Sequence, residues 1–179
     1  MEKKGGFMKA LLIVDLQNDF CPGGALPIPD GDKIVPVINE LMDKFDIIIA
    51  SKDWHKKTTK HFDKWPLHCL ENSFGADFHP ELHKEKIQKI FYKGTGDDDS
   101  GYSAFEATNL DLENFLKEKN IDELYITGLA LDYCVKATAI DAVKKGFKTY
   151  IILNATKGLT PQSSEEAIAE LKRGEVIFV

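Results

Sequence analysis

The chain has 179 residues, of which 43% are hydrophobic and 29% charged, and its formal net charge is −6. That length favours a single domain with an interior large enough for a core. The acidic balance, with no basic stripe in any segment, argues against a nucleic-acid partner, and no apolar run approaches the roughly 18 residues of a membrane span.

Residues 1–8 lack the apolar run and small-residue cleavage site of an export signal and read as a loose extension before one domain over 9–179. The cysteines are Cys21, Cys69 and Cys134, with no CxxC pair. An odd count without an export signal fits a reducing, cytoplasmic setting.

Residues 10–14 form a nearly continuous apolar run ending at Asp15, the pattern of a strand buried on both faces. Cys21-Pro22-Gly23-Gly24 reads as a turn. Ile34, Val37, Ile38, Leu41, Met42 and Phe45 recur with helical spacing, with Asp32 as N-cap and Pro36 in the first turn. Residues 47–50 predict a second strand, ending near Asp53. The stretch 52–85 is irregular but holds both tryptophans and all five histidines. Segments of that length without regular structure are usually functional.

Residues 87–92 predict a third strand, followed by a loop over 93–100. A helix over 110–119 and a strand over 124–127 come next. A helix over 133–145 is stopped by Gly146. A strand over 149–153, a helix over 163–171 and a strand over 176–179 complete the series. The alternation predicts an α/β domain with helices on both faces of its sheet. Asp15, Asp53, Lys93 and the segment before Cys134 all follow predicted strands. The carboxyl edge of an open sheet is where ligands bind, so four reactive residue types point to one rim.

Cys134 is the candidate nucleophile. It lies at the start of a predicted helix, where free N–H groups and the helix dipole favour a thiolate and could hold an oxyanion. On position alone, a packed structural cysteine is the commoner case. Asp15 shifts the balance, because a carboxylate at a buried strand end is costly unless used. It can take the thiol proton and later return one to an amine leaving group. Lys93 would stabilise the thiolate and set the charge balance.

Asp53-Trp54-His55 places a carboxylate and an imidazole two residues apart, and His68 returns after a loop. These are ligands for zinc, iron or manganese, with His61 an additional candidate. Such an ion could contact a ring nitrogen of an aromatic amide or hold water; a metal-activated water is the alternative nucleophile. Phe20, Trp65 and Tyr102 could wall a slot for a flat ring. His79 and His83 read as exposed loop histidines, and Asp97-Asp98-Asp99-Ser100 as a solvated acidic loop. Neither a Walker loop nor a GxGxxG follows a strand.

In order along the chain stand Val14-Asp15-Leu16-Gln17-Asn18-Asp19-Phe20 with Pro22-Gly23-Gly24-Ala25-Leu26, then Asp53-Trp54-His55 and Trp65-Pro66-Leu67-His68-Cys69. Lys93-Gly94, Tyr102-Ser103-Ala104-Phe105 and Tyr133-Cys134-Val135 follow. Together they make the sequence resemble the nicotinamidases within the isochorismatase-like cysteine hydrolases, over nearly the whole chain. The resemblance implies a three-layer α/β/α sandwich with a six-stranded, mainly parallel sheet, and a triad of Asp15, Lys93 and Cys134. It also implies a cis bond before Ala130, an oxyanion hole from the N–H groups of Ala130 and Cys134, and Leu129 in the substrate pocket.

One divalent ion per subunit would sit on Asp53, His55 and His68, with zinc the first expectation and iron or manganese the alternatives. The implied activity is hydrolysis of nicotinamide to nicotinate and ammonia, a step in NAD salvage, with pyrazinamide as a further substrate and self-association common among relatives. Two features depart from the pattern. Leu131 stands where many relatives carry threonine, and His61 falls where some have a serine or an acidic residue, as a fourth ligand or a partner of bound water. Two other classes stay open on sequence: a related amidohydrolase acting on another carboxamide or carbamoyl compound, and a non-catalytic binding protein retaining the fold.

Overall fold

Residues 10–14 of the first strand have no solvent exposure on either face, and the remaining strands assemble around them. The computed structural model describes residues 8–179. Its strands are β1 (Met8–Val14), β2 (Ile47–Asp53), β3 (Lys89–Lys93), β4 (Ile121–Leu129), β5 (Lys148–Lys157) and β6 (Ile177–Phe178), and its helices are α1 (Val35–Met42), α2 (Leu112–Glu118), α3 (Lys136–Lys144) and α4 (Pro161–Arg173). The six strands form one sheet in the order β3-β2-β1-β4-β5-β6, and every pairing is parallel. This is the expected three-layer α/β/α sandwich.

Successive side chains of a strand point to opposite faces, and β1 divides accordingly. Ala10, Leu12 and Val14 join a core with α2, α3 and α4 through Leu112, Leu116, Ala139 and Leu171. Leu11 and Ile13 join a second core with Val35, Ile38 and Met42 of α1. One helix cannot cover that second face. The irregular stretch after β2 completes it by burying Cys69, Ala76, Phe78 and Leu82, so the histidine-rich segment is a structural layer as well as a loop.

The boundaries differ from expectation where local chemistry decides. Met8 opens β1, paired with Ile121, rather than closing an extension; residues 1–7 of that extension lie outside the described residues. Asp32 sits in a short 3-10 turn and does not cap α1, which begins at Val35 with Pro36 in its first turn. There the missing N–H costs nothing. The helix expected over 133–145 starts instead as a π-type turn over Leu131–Val135 that runs into α3.

The chain leaves β1 toward β2 and β3 on one side, and toward β4, β5 and β6 on the other. The crevice at the carboxyl ends of β1 and β4 is therefore the topological switch point of the sheet. Val14 pairs with Gly128 there. Gly128 has φ 110°, and an added Cβ would enter the backbone N and O of Val14. Gly128→Ala must push β1 and β4 apart beside the crevice and should cost about 2 kcal/mol or more. A lowered denaturant midpoint at unchanged m checks this.

Candidate active site

Asp15 is the first residue beyond β1 and turns back under the sheet edge with φ 50°. Aspartate adopts that left-handed region more readily than most residues. The Ser51 hydroxyl donates to Asp15 Oδ1 at 2.8 Å. Asp15 Oδ2 lies 2.8 Å from Lys93 Nζ as an ion pair, off the hydrogen-bond direction, and has no hydrogen-bond partner. Burial pushes the Asp15 carboxyl up to about 6, against the opposing pull of Lys93.

Lys93 ends β3, in register with Asp53 at the end of β2, and is fully buried. Its ammonium reaches Asp15, Asp53 Oδ1 at 2.5 Å, the Gly101 carbonyl at 3.2 Å and Cys134 Sγ at 3.3 Å. Burial opposes its charge, but the two carboxylates outweigh burial and hold Lys93 well above the ordinary lysine range. Asp53, despite its burial, is held well below the ordinary carboxylate range by Lys93 and by His55 and His68.

Cys134 lies in the π-type turn, where the Val135 N–H reaches back five residues to the Ala130 carbonyl at 3.1 Å. Such turns widen the helix at functional positions. Thr138 donates to the Cys134 carbonyl at 2.7 Å and accepts from the Ala104 N–H, tying the turn to the segment after Tyr102. Burial raises the thiol well above its ordinary value, against Lys93. The resting group is a neutral thiol with a carboxylate oxygen of Asp15 and one of Asp53 within 4.8 Å. The Leu129-Ala130 bond is cis.

The histidines converge beside this set. Coordinating nitrogens of His55, His61 and His68 lie within 4.8 Å of one another. Each ring is oriented through Nδ1: His55 by the Gly94 carbonyl at 2.9 Å, His61 by Asp99 at 2.7 Å, and His68 by the Pro66 carbonyl at 2.7 Å. A proton on Nδ1 leaves Nε2 as a lone pair, the arrangement seen in metal-ligating histidines. His55 Nε2 is buried without a hydrogen-bond partner, and Asp53 Oδ2 stands 3.3 Å from it and 3.8 Å from His68 Nε2. Burial holds the His61 imidazole below its ordinary value, hence neutral. One carboxylate oxygen and three imidazole nitrogens thus fit a divalent ion. His61, an added candidate on sequence, belongs to this group, whereas His79 and His83 are not in it.

A cleft opens above this set. Phe20, Trp65 and Tyr102 line it, together with Asp53, His61, His68, Ala130 and Cys134. Leu129 does not: it is fully buried in the core on the α1 face. Ala130 belongs to the same core but keeps slight exposure and borders the cleft.

Leu26, Ile28, Tyr133 and Leu159 also line the cleft; Leu26 and Tyr133 stand in the motifs, but none of the four was assigned to the pocket from sequence, where isolated apolar residues look like core. Two polar clamps were also missed. The Gln17 amide donates to the Asp53 carbonyl at 2.8 Å and accepts from its N–H at 2.9 Å. Asp19 accepts from the Cys69 N–H at 2.7 Å. Both hold the metal-ligand segments against β1, and both stand in the Asp15–Phe20 motif, which was the available signal.

The model of the Isochorismatase domain matches residues 9–178. The nicotinamidase of Escherichia coli K12 is 40% identical over 192 residues, covering 91% of this chain and 90% of that protein. The zinc complex of the pyrazinamidase of Pyrococcus horikoshii superposes with a TM-score of 0.87 at 41% identity, covering 96% of this chain and 98% of the other. The nicotinate complex of PnC1 from L. infantum gives 0.91 at 31% identity, covering 96% and 92%. A domain match over nearly the whole chain and relatives of this identity settle the point: the chain belongs to the isochorismatase family, as a hydrolase of its nicotinamidase/pyrazinamidase branch.

Proposed function

We propose that the chain hydrolyses nicotinamide to nicotinate and ammonia through a thioester on Cys134, with pyrazinamide as a second substrate. One observation carries the reading: a thiol, a carboxylate and an ammonium meet on the floor of an aromatic cleft beside a converged Asp/His set. The relatives named for nicotinamide and pyrazinamide chemistry support the substrate, and the nicotinate complex of a third supports the product.

Asp53, His55, His61 and His68 are the residues that would hold one divalent ion, and the zinc in the pyrococcal relative supports zinc. When bound, that ion supplies a Lewis-acid contact that orients the substrate ring. Phe20, Trp65 and Tyr102 flank the ring, and the carboxamide lies over Cys134. Asp15 takes the Cys134 proton, and Lys93 stabilises the thiolate through its 3.3 Å contact. Sγ forms a bond to the carboxamide carbon, and the N–H groups of Ala130 and Cys134 receive the developing oxyanion. Collapse breaks the C–N bond, and the Asp15 proton leaves with ammonia. Asp15 then deprotonates a water that attacks the thioester carbonyl, releasing the acid and restoring the thiol.

The three cysteines are free, which supports a reducing, cytoplasmic setting. No helix of the described residues is long and apolar enough to cross a membrane.

Removing the nucleophile should lower ammonia release by roughly 10⁴-fold or more in Cys134→Ala. Full turnover in that variant would exclude the thioester. The pH dependence follows from Asp15. Its carboxylate form, the base, predominates above about 6, so kcat/KM should fall tenfold per unit as pH drops below that value. A flat acid limb in the pH–rate profile would remove Asp15 from the base role.

A further inference from the structure

The acidic loop after β3 contributes one residue to the site. Asp97 accepts from the Thr58 hydroxyl and Asp98 from the Ser100 hydroxyl, and neither carboxylate reaches the cleft's lining. Asp99 behaves differently. Its Oδ1 lies 2.7 Å from His61 Nδ1 and also accepts the Tyr102 hydroxyl proton at 2.8 Å. Trp65 Nε1 in turn donates to Tyr102 Oη at 3.1 Å. Oδ2 pairs with the exposed Lys64 at 2.5 Å.

His61, Tyr102 and Trp65 all line the cleft. The loops that carry Asp99 and His61 are joined by backbone as well: the Lys60 N–H donates to the Asp97 carbonyl at 2.8 Å, and the Thr59 hydroxyl to the Asp98 carbonyl at 3.2 Å. His55 and His68 rest on peptide carbonyls. Of the three, only His61 has a carboxylate at Nδ1, the partner that both fixes the tautomer and raises the basicity of the opposite nitrogen.

We infer that Asp99 is a positioning residue that sets metal ligand His61 and the ring-wall pair Tyr102 and Trp65 in one arrangement through a single carboxylate oxygen. The inference rests on the metal reading above and deepens it. If His61 swings away it loses the carboxylate oxygen that also holds the Tyr102 hydroxyl, and a tilt of Tyr102 breaks its bond from Trp65. Grip on the ion and fit of the aromatic substrate are therefore linked, and linkage acts equally in both directions. Lys64 neutralises the outer oxygen and has no part in the cleft.

The test measures zinc affinity by chelator competition, without substrate, and KM for nicotinamide at saturating zinc. Asp99→Asn keeps an acceptor but loses the charge. It should weaken zinc binding by roughly 10- to 100-fold and raise KM, with an unchanged thermal midpoint in the zinc-free protein. Lys64→Ala should alter neither quantity by more than about twofold, whereas a larger change would make Asp99 part of a surface ion pair only. Tyr102→Phe should raise KM and weaken zinc binding by less than Asp99→Asn does, since His61 keeps its carboxylate.

In a His61→Ala background, Asp99→Asn should add less than about twofold to the loss of zinc, because Asp99 acts through that imidazole. Wild-type zinc affinity in Asp99→Asn, or an undiminished effect of the substitution without His61, overturns the inference. Failure of the unsubstituted protein to bind zinc overturns the metal reading itself, a separate result from loss of the Asp99 effect.

Discussion

The buried ammonium of Lys93 is the constraint on which the site depends. A lone charge with no solvent contact is not sustainable in a protein interior. Lys93 is sustained by two carboxylates, Asp15 and Asp53, and by the Gly101 carbonyl. Each carboxylate is buried for the same reason in reverse. Lys93 is the indispensable member: removing it would leave two buried carboxylates with no cation between them. Because Asp15 faces the thiol and Asp53 faces the histidines, this one cation fixes the spacing between the covalent centre and the metal-ligand set.

Topology delivers these groups without long-range adjustment. Asp15, Asp53 and Lys93 come from the carboxyl ends of three adjacent strands, in the spatial order β3, β2, β1, and Cys134 follows the fourth, β4. Neighbouring strands lie about 4.8 Å apart, and the long Lys93 side chain bridges from β3 past β2 to Asp15 beyond β1. The close Val14–Gly128 approach holds the two halves of the sheet together at the crevice.

Much of this was legible in sequence. Continuous apolar runs gave the strands, and Asp15, Asp53 and Lys93 stand at or just past the ends of those runs, where a buried charge has no ordinary purpose. The order of motifs named the chemistry. What was not legible depended on three-dimensional neighbours. Leu129 and Ala130 are adjacent in the chain and share one core, yet only Ala130 borders the cleft. Asp99 looks identical to Asp97 and Asp98 in the sequence, and only the fold aims its carboxylate at His61 and Tyr102. The turn around Cys134 reads as ordinary helix because no residue type marks a five-residue hydrogen bond.

The charge count of the cleft explains why an ion-binding set stands next to a cysteine at all. Asp15 and Asp53 each bring one negative charge, Lys93 one positive, and the thiol none. Forming the thiolate by proton transfer to Asp15 moves a negative charge onto sulfur but does not change this total of minus one. The developing oxyanion forms against that surplus. Asp53 is the member whose charge is shared, pointing one oxygen at Lys93 and the other at His55 and His68. A divalent ion held by the histidines would draw on the Asp53 charge and leave more of the Lys93 field for Sγ. On this view the metal-ligand set does more than place a ring. With an ion bound, Asp53 would connect that set to the field that Lys93, shared between two carboxylates, supplies at Sγ.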